Sequence, residues 1–171
     1  MDVEINYYDG LLYRLLGYLP KILEIKHFNF EDAEFVCLIY IKDNIKHICL
    51  CDFVLKTEVL DIPDEIDGVP VELVNISPTL DSDLIKKIIF GNNTIRIICI
   101  TKKVRSLNEI VIKNGYKGKK EELFKNIDSI LRFAPNKINF TIGEDLDFCE
   151  KNECIISKDE KELFLICTRK N

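Results

Sequence analysis

Residues 60–71 read LDIPDEIDGVPV, and they mix apolar positions with the two residue types that most often interrupt regular structure. Proline has no backbone N–H to give, and the Asp67-Gly68 pair is typical of a tight turn. A long helix or strand therefore does not fit here. The stretch predicts a short strand ending at Ile62-Pro63, a turn at Asp67-Gly68, and a second short strand.

Short strands of a similar kind recur further along the chain. Residues 85–90, 107–112 and 137–142 each end with apolar side chains two positions apart, as in a strand that buries alternate residues. The three spacings between successive strand ends, from Ile62 to Ile142, are 28, 22 and 30 residues. An irregular period of about 20 to 30 residues predicts a short solenoid.

The flanking segments predict the remaining elements. Leucines at helical spacing predict a helix over residues 10–19 that Pro20 stops, with a strand as the alternative because Gly17 disfavours a helix. Two β-branched runs over 35–41 and 45–53 predict a hairpin. Residues 120–133 carry an apolar stripe with acidic residues at the start, which indicates an amphipathic helix. Residues 152–166 contain two apolar runs around a charged turn and predict a closing hairpin.

Composition and length limit the class of protein. The chain has 171 residues, of which 47% are hydrophobic and 31% charged, with seven glycines and five prolines. These values exclude a disordered or collagenous chain. We expect one α+β domain over residues 1–171. In it, a helix and hairpin cap (1–56) adjoins a short, β-rich, leucine-rich-repeat-like solenoid (57–171) with one amphipathic helix and a C-terminal hairpin.

The N-terminus and the cysteines predict a cytoplasmic location. The chain begins Met-Asp-Val-Glu, without the basic and apolar regions of a secretory signal, and no apolar run is long enough to span a membrane. Seven cysteines form an odd set, mostly within apolar stretches, as expected for buried thiols in a reducing compartment. His47, Cys49 and Cys51 would share one strand face, but their spacing is not that of a zinc site. No metal or cofactor is expected.

Charge is distributed unevenly along the chain. Residues 1–83 carry a formal charge of −11, residues 84–137 carry +9, and residues 138–171 carry −3. The basic middle segment either presents a positive surface to nucleic acid or another acidic partner, or adjoins the acidic segments in the fold and is neutralised by them. Sequence alone leaves both alternatives open.

Residues 60–71 closely resemble the opening phrase of the BspA-type leucine-rich repeat proteins, with its strand ending in Ile-Pro, its Asp-Gly turn and its second strand. Residues 85–93 and 107–112 look like later strands of that family, and residues 142–159 look like its terminal unit. The resemblance covers residues 57–171. It implies a curved, β-rich solenoid that binds other macromolecules, often at cell surfaces, and that has no catalytic residues.

In strands of this kind the residues between the buried positions face outward and align in rows when strands stack. The candidate binding face comprises Lys87, Ile89, Glu109, Val111, Asn139 and Thr141. Apolar side chains flanked by charged ones are suited to contact with a protein, so we predict non-enzymatic recognition of a protein partner. The alternative is that residues 1–56 cover this face.

A second candidate site is a glycine loop in the basic segment. Its residues are Lys113, Gly115, Tyr116, Lys117, Gly118, Lys119 and Lys120. The Gly-x-x-Gly spacing before a helix is similar to the loop of KH-type RNA-binding domains, which implies RNA binding as the alternative function. Neither histidine lies in a triad-like or metal-binding context, and adjacent acidic residues occur in turns, so we do not expect an enzyme.

Overall fold

The computed structural model describes residues 2–76, 84–98, 104–132, 134 and 137–167. Within these ranges there are two helices, α1 (Asp2–Leu16) and α2 (Lys120–Leu131). The strands in the same ranges are β1 (Lys21–Asn29), β2 (Ala33–Lys42), β3 (Ile45–Leu55), β4 (Val59–Asp61), β5 (Glu65–Ile66), β6 (Val69–Asn75), β7 (Lys87–Phe90), β8 (Arg96–Ile98), β9 (Glu109–Ile112), β10 (Asn139–Ile142), β11 (Phe148–Lys151), β12 (Cys154–Ser157) and β13 (Leu163–Ile166).

The largest sheet has six strands and mixed direction. Its order is β1-β2-β3-β6-β5, and β8 pairs with β6. The predicted hairpin is confirmed: β2 and β3 pair antiparallel around Asp43 and Asn44, which have φ values of 52° and 61°. Two positive φ values in a two-residue loop give the turn that matches the twist of the strands. The pairings of β6 with β3 and with β8 are parallel.

The second sheet is a parallel ladder of four strands, in the order β10-β9-β7-β4. Its register is continuous, because Leu60, Ile88, Ile110 and Phe140 pair across all four strands. Leu60, Ile88 and Ile110 are fully buried. A third, antiparallel sheet of β11, β12 and β13 follows, so the predicted C-terminal hairpin is accompanied by one more strand.

The predicted solenoid is wrong. The chain is an α+β protein with several sheets, and the largest of them joins the segment predicted as a cap to β6 and β8, which the prediction assigned to repeats. The physical reason lies in β3, an eleven-residue strand that β2 covers on one side only. Its other edge needs a hydrogen-bonding partner, and β6 fills it. Cap and following strands thus merge into one mixed sheet.

Two clusters of apolar side chains hold the layers together. The larger one joins the six-stranded sheet, the ladder and α2, with Phe35, Ile88 and Ile127 among its members. The smaller one lies under α1, where Leu12 packs with Leu38 of β2. Since the larger cluster takes residues from both the 1–56 and the 57–171 segment, the two share one core.

Helix α2 replaces a strand at the open edge of β8. Asn126, buried in an otherwise apolar stripe, accepts a hydrogen bond from the Ile97 N–H and donates one to the Ile95 carbonyl, both at 3.0 Å. These bonds satisfy strand groups that would otherwise lack partners. The predicted helix over residues 120–133 is confirmed as far as Leu131, and Phe133 lies outside the described residues.

The bounds predicted for the first helix are wrong. Helix α1 begins at Asp2, well before residue 10, and ends at Leu16. Gly17 follows with a φ of 80°, and its N–H bonds to the Tyr13 carbonyl at 2.7 Å. A glycine in this left-handed conformation closes the helix, so Pro20 is not what stops it. Neither α1 nor α2 has the length and apolar character that crossing a membrane requires.

Candidate functional site

The ladder aligns the predicted binding residues in two outward rows. In the first row, Val59 is level with Lys87, Glu109 and Asn139. In the second row, Asp61 is level with Ile89, Val111 and Thr141. The structure therefore brings together all six residues of the candidate face, and Val59 and Asp61 of β4 lie level with them. We call these eight residues the ladder face.

The ladder face is accessible to solvent. Asn139 and Thr141 are exposed, and Ile89 and Val111 are half-buried neighbours. The Lys87 Nζ lies 3.1 Å from Glu109 Oε2, and their side chains remain 33% and 30% exposed. A face covered by residues 1–56 would have none of this exposure.

A cleft of about 880 Å³ opens beside β4, at the edge of the ladder face. Val59 and Asp61 line both surfaces, which are therefore continuous. The remaining lining residues are Phe30, Glu31, Asp32, Ala33, Phe35, Thr57, Pro63, Asp64, Glu65, Asn92, Asn93, Lys113 and Lys117. Phe30 is 41% exposed and contacts Phe35 edge to face, with 5.6 Å between ring centroids. The cleft thus has an apolar wall and an acidic rim.

Asp64 organises the floor of the cleft. Its Oδ1 accepts a hydrogen bond from the Asn92 N–H at 2.7 Å and lies 3.2 Å from the Lys113 Nζ. Burial alone would raise the pKa of this carboxyl, but the Asn92 N–H and Lys113 together outweigh that effect and hold the pKa below its ordinary value. Asp64 is consequently charged, and its charge is paired with Lys113 within the protein. The other four acidic residues of the lining are exposed: Glu31, Asp32, Asp61 and Glu65.

The turns after β4 and β7 pack tightly against each other, and this contact positions Asn92. A Cβ placed on Gly91 would lie 2.8 Å from the Pro63 carbonyl oxygen and 2.9 Å from the Ile62 carbonyl oxygen. Contacts this short to backbone atoms force the backbone to shift, so the position favours glycine. Without a side chain there, the Asn92 N–H can reach Asp64.

The predicted Gly-x-x-Gly loop connects β9 to α2, and much of it is engaged within the protein. Its aromatic residue, Tyr116, donates its hydroxyl to the Thr94 carbonyl at 2.7 Å, and burial raises the pKa of that hydroxyl. The Gly115 N–H bonds to Asp145 Oδ2 at 2.7 Å. Tyr116 is therefore not presented to solvent as a platform on which a base would stack.

Many cations of the basic segment pair with carboxylates. Lys113 pairs with Asp64; Lys120 Nζ lies 3.3 Å from Asp147 and 4.8 Å from the centroid of the Phe164 ring. Pairs to carboxylates also occur at Lys86, Lys87, Arg96, Lys125, Arg132 and Lys137. Lys86, Lys113, Lys120 and Lys137 pair with carboxylates of the acidic segments, so neutralisation by adjoining segments applies to these four. The other four cations pair with carboxylates of the basic segment itself. Lys117 and Lys119 are exposed.

The cysteines of the six-stranded sheet are buried thiols. Burial raises the pKa of Cys37 to about 12, and the neighbouring Cys51 thiol together with burial raises that of Cys49. His47 lies 3.0 Å from Glu72 through Nδ1 and stacks on Tyr40. Among the described residues, no three His, Cys, Asp or Glu side chains are arranged to hold a metal ion.

Sequence reasoning missed the cleft. Its walls come from residues 30–35, 57–65, 92–93 and 113–117, which are far apart in the chain. In the sequence, the local indication of the cleft was Phe30 followed by the acidic residues Glu31 and Asp32. The chain matches no protein-family model, no curated protein and no solved structure.

Proposed function

We propose that this protein recognises a protein partner, without catalysis, through the ladder face and the adjoining cleft. The observation that carries the proposal is the continuous register of the ladder, which places eight outward side chains in two aligned rows. Half-buried Ile89 and Val111 supply apolar contact area at the centre, and charged or polar neighbours surround them. Protein interfaces have this arrangement of apolar centre and polar rim.

The cleft indicates the chemistry of the partner. Four exposed carboxylates and Phe30 line it. Of its two lysines, Lys113 is paired with Asp64 and Lys117 is exposed, so exposed acidic groups outnumber exposed basic ones. The surface is complementary to an extended segment that carries Lys or Arg side chains and one aromatic or aliphatic anchor. Such a segment would lie along β4, the edge strand of the ladder, with its anchor against Phe30.

The resemblance to the BspA-type family, which implies binding of macromolecules, is consistent with this proposal and stays a prediction. A cytoplasmic location is a further part of the proposal. The six cysteines within the described residues, all free thiols, support a reducing compartment.

A peptide selection tests the proposed function. Random peptides displayed on phage are selected against the immobilised protein, and enriched peptides are titrated by calorimetry. We expect basic peptides with an apolar anchor whose affinity falls by about tenfold or more with Ile89→Glu or Val111→Lys, since each change puts a charge at the interface centre. Ile45→Glu is the matched control. Ile45 is equally apolar and 58% exposed, but it lies at the Asp43-Asn44 turn of the β2–β3 hairpin, whereas the cleft lies at the other end of that hairpin.

RNA binding is the competing outcome. Fluorescence anisotropy with a labelled single-stranded RNA at two salt concentrations measures it directly. Strong, salt-sensitive binding that is lost with Lys119→Glu and Lys120→Glu but kept with Ile89→Glu would replace the proposal by its rival. A selection that yields no peptide sensitive to Ile89→Glu would also overturn it.

A further inference from the structure

Strand β1 forms an open edge of the six-stranded sheet. It pairs with β2 on one side, and no other strand among the described residues pairs with its second side. Seven of its nine side chains are exposed, and the other two are half-buried. Apolar side chains nearby are exposed as well: Tyr18, Leu19, Leu23 and Ile25. A long edge with exposed apolar residues is a template for pairing with another strand.

The backbone geometry defines which groups this edge offers. The Phe30 N–H donates to the Ala33 carbonyl at 2.7 Å and closes the β1–β2 turn. In an antiparallel ladder, hydrogen-bonded pairs alternate with non-bonded ones. Counting back from Phe30, the N–H and C=O groups of Ile25 and His27 point away from β2, towards the open side. The register shifts between Ile22 and Glu24, where Leu23 has no partner on β2, so the regular edge begins at Glu24.

The sequence of this edge is complementary to itself. In an antiparallel pair centred on Ile25, Ile25 faces its own copy, and Glu24 faces Lys26 twice. A pair centred on Glu24 or on Lys26 would instead oppose two like charges at the centre. The centre at Ile25 also agrees with the backbone, because two Ile25 residues with outward N–H and C=O groups form a hydrogen-bonded pair.

We propose that a second copy of this chain pairs with β1 in this register, so that two six-stranded sheets become one continuous sheet across a two-fold axis. Two backbone hydrogen bonds between the Ile25 residues and two Glu24–Lys26 ion pairs connect the copies at the centre of the pairing. The two-fold axis is perpendicular to the sheet, so both α1 helices lie on the same side. There an apolar hollow of about 410 Å³ between α1 and β1 faces its equivalent in the other copy.

The charges explain why the partner is a second copy rather than an arbitrary strand. Lys26 on an open edge opposes association with an apolar strand, because its ammonium group would lose water without gaining a partner. Glu24 of a second copy supplies that partner. The inference goes beyond the proposed function and does not depend on the ladder face.

Sedimentation velocity over a range of micromolar concentrations tests the proposal. The wild-type protein should sediment as a dimer. Glu24→Lys and Lys26→Glu should each weaken the dimer by about tenfold or more, because both ion pairs become like-charge pairs. An equimolar mixture of these two variants should dimerise again, since every position 24 then faces an opposite charge at position 26.

Lys46→Glu is the control, since it makes the same change in net charge at an exposed residue of β3 away from the edge. It should leave the dimer intact, and circular dichroism should show all variants folded. A wild-type protein that stays monomeric would overturn the inference. So would a Lys26→Glu dimer of unchanged strength, or a mixture that fails to recover.

Discussion

Replacing Gly91 by alanine should destabilise the protein by about 1–3 kcal/mol. The added Cβ would lie 2.8 Å from the Pro63 carbonyl oxygen, 2.9 Å from the Ile62 carbonyl oxygen and 3.0 Å from the Thr94 hydroxyl. Two of these atoms are backbone, so no side-chain rotation relieves the contact. The turn after β7 must move away from the turn after β4, and displacing packed backbone carries the cost of overpacking.

The same displacement reaches the cleft. Asn92 follows Gly91 directly, and its N–H lies 2.7 Å from the Asp64 carboxylate. Moving the turn by a few tenths of an ångström lengthens this hydrogen bond, one of the interactions that hold the pKa of Asp64 below its ordinary value. The pKa of Asp64 should therefore rise in the Gly91→Ala variant, which carboxyl titration by NMR measures.

Thermal and urea unfolding followed by circular dichroism give the stability change. For a chain of this length, each kcal/mol corresponds to about 2–4 °C in Tm. Gly10→Ala is the matched control: Gly10 is in the interior of α1, and a Cβ there has no atom within 4 Å. That variant should gain up to about 1 kcal/mol from helix propensity. A Gly91→Ala protein as stable as the wild type would refute the packing argument.

Three further outcomes follow from buried and titrating groups. Asn126→Ala should cost about 1–3 kcal/mol in urea unfolding, because the Ile97 N–H of β8 and the Ile95 carbonyl just before β8 lose their partner. Asp64, whose folded pKa is lowered, stabilises the protein above about pH 4, and this contribution disappears as the pH falls through the lowered pKa. Asp64→Asn should therefore lose less stability than the wild type between pH 6 and pH 3 in acid-unfolding curves; an equal loss would contradict the assignment. Iodoacetamide at pH 8 should label the half-exposed Cys149 before the buried Cys37, whose pKa of about 12 leaves little thiolate, as peptide mass spectrometry of the native protein would show.

Local patterns predicted several elements well. The Asp43-Asn44 hairpin formed where two β-branched runs flank a turn, and α2 formed where an apolar stripe begins with acidic residues. These signals are local, since turn chemistry and periodicity act over a few residues. The rows of the ladder face were predicted for a related reason: alternation along each strand determines which side chains face outward. Periodicity does not explain why the polar Asn126 is buried within the apolar stripe of α2.

The solenoid prediction failed at a point that local patterns do not reach. Whether β6 belongs to a stack of repeats or to the sheet of β3 depends on which strand edge needs a hydrogen-bonding partner. That edge belongs to β3, which is separated from β6 in the chain, so local patterns within β6 do not reveal it. The cleft depends on the same kind of long-range meeting, because Phe30, Asp61 and Lys113 come from separate segments.

Neighbouring residues are enough to predict the β2–β3 hairpin, the strands of the ladder, the amphipathic helix and the alternation of inward and outward side chains, whereas β8 and β11 were not predicted. The division of the strands between sheets, the neutralisation of particular cations and the position of the cleft emerge when the chain folds. Those outcomes depend on edges, charges and surfaces that become neighbours only after the chain has folded.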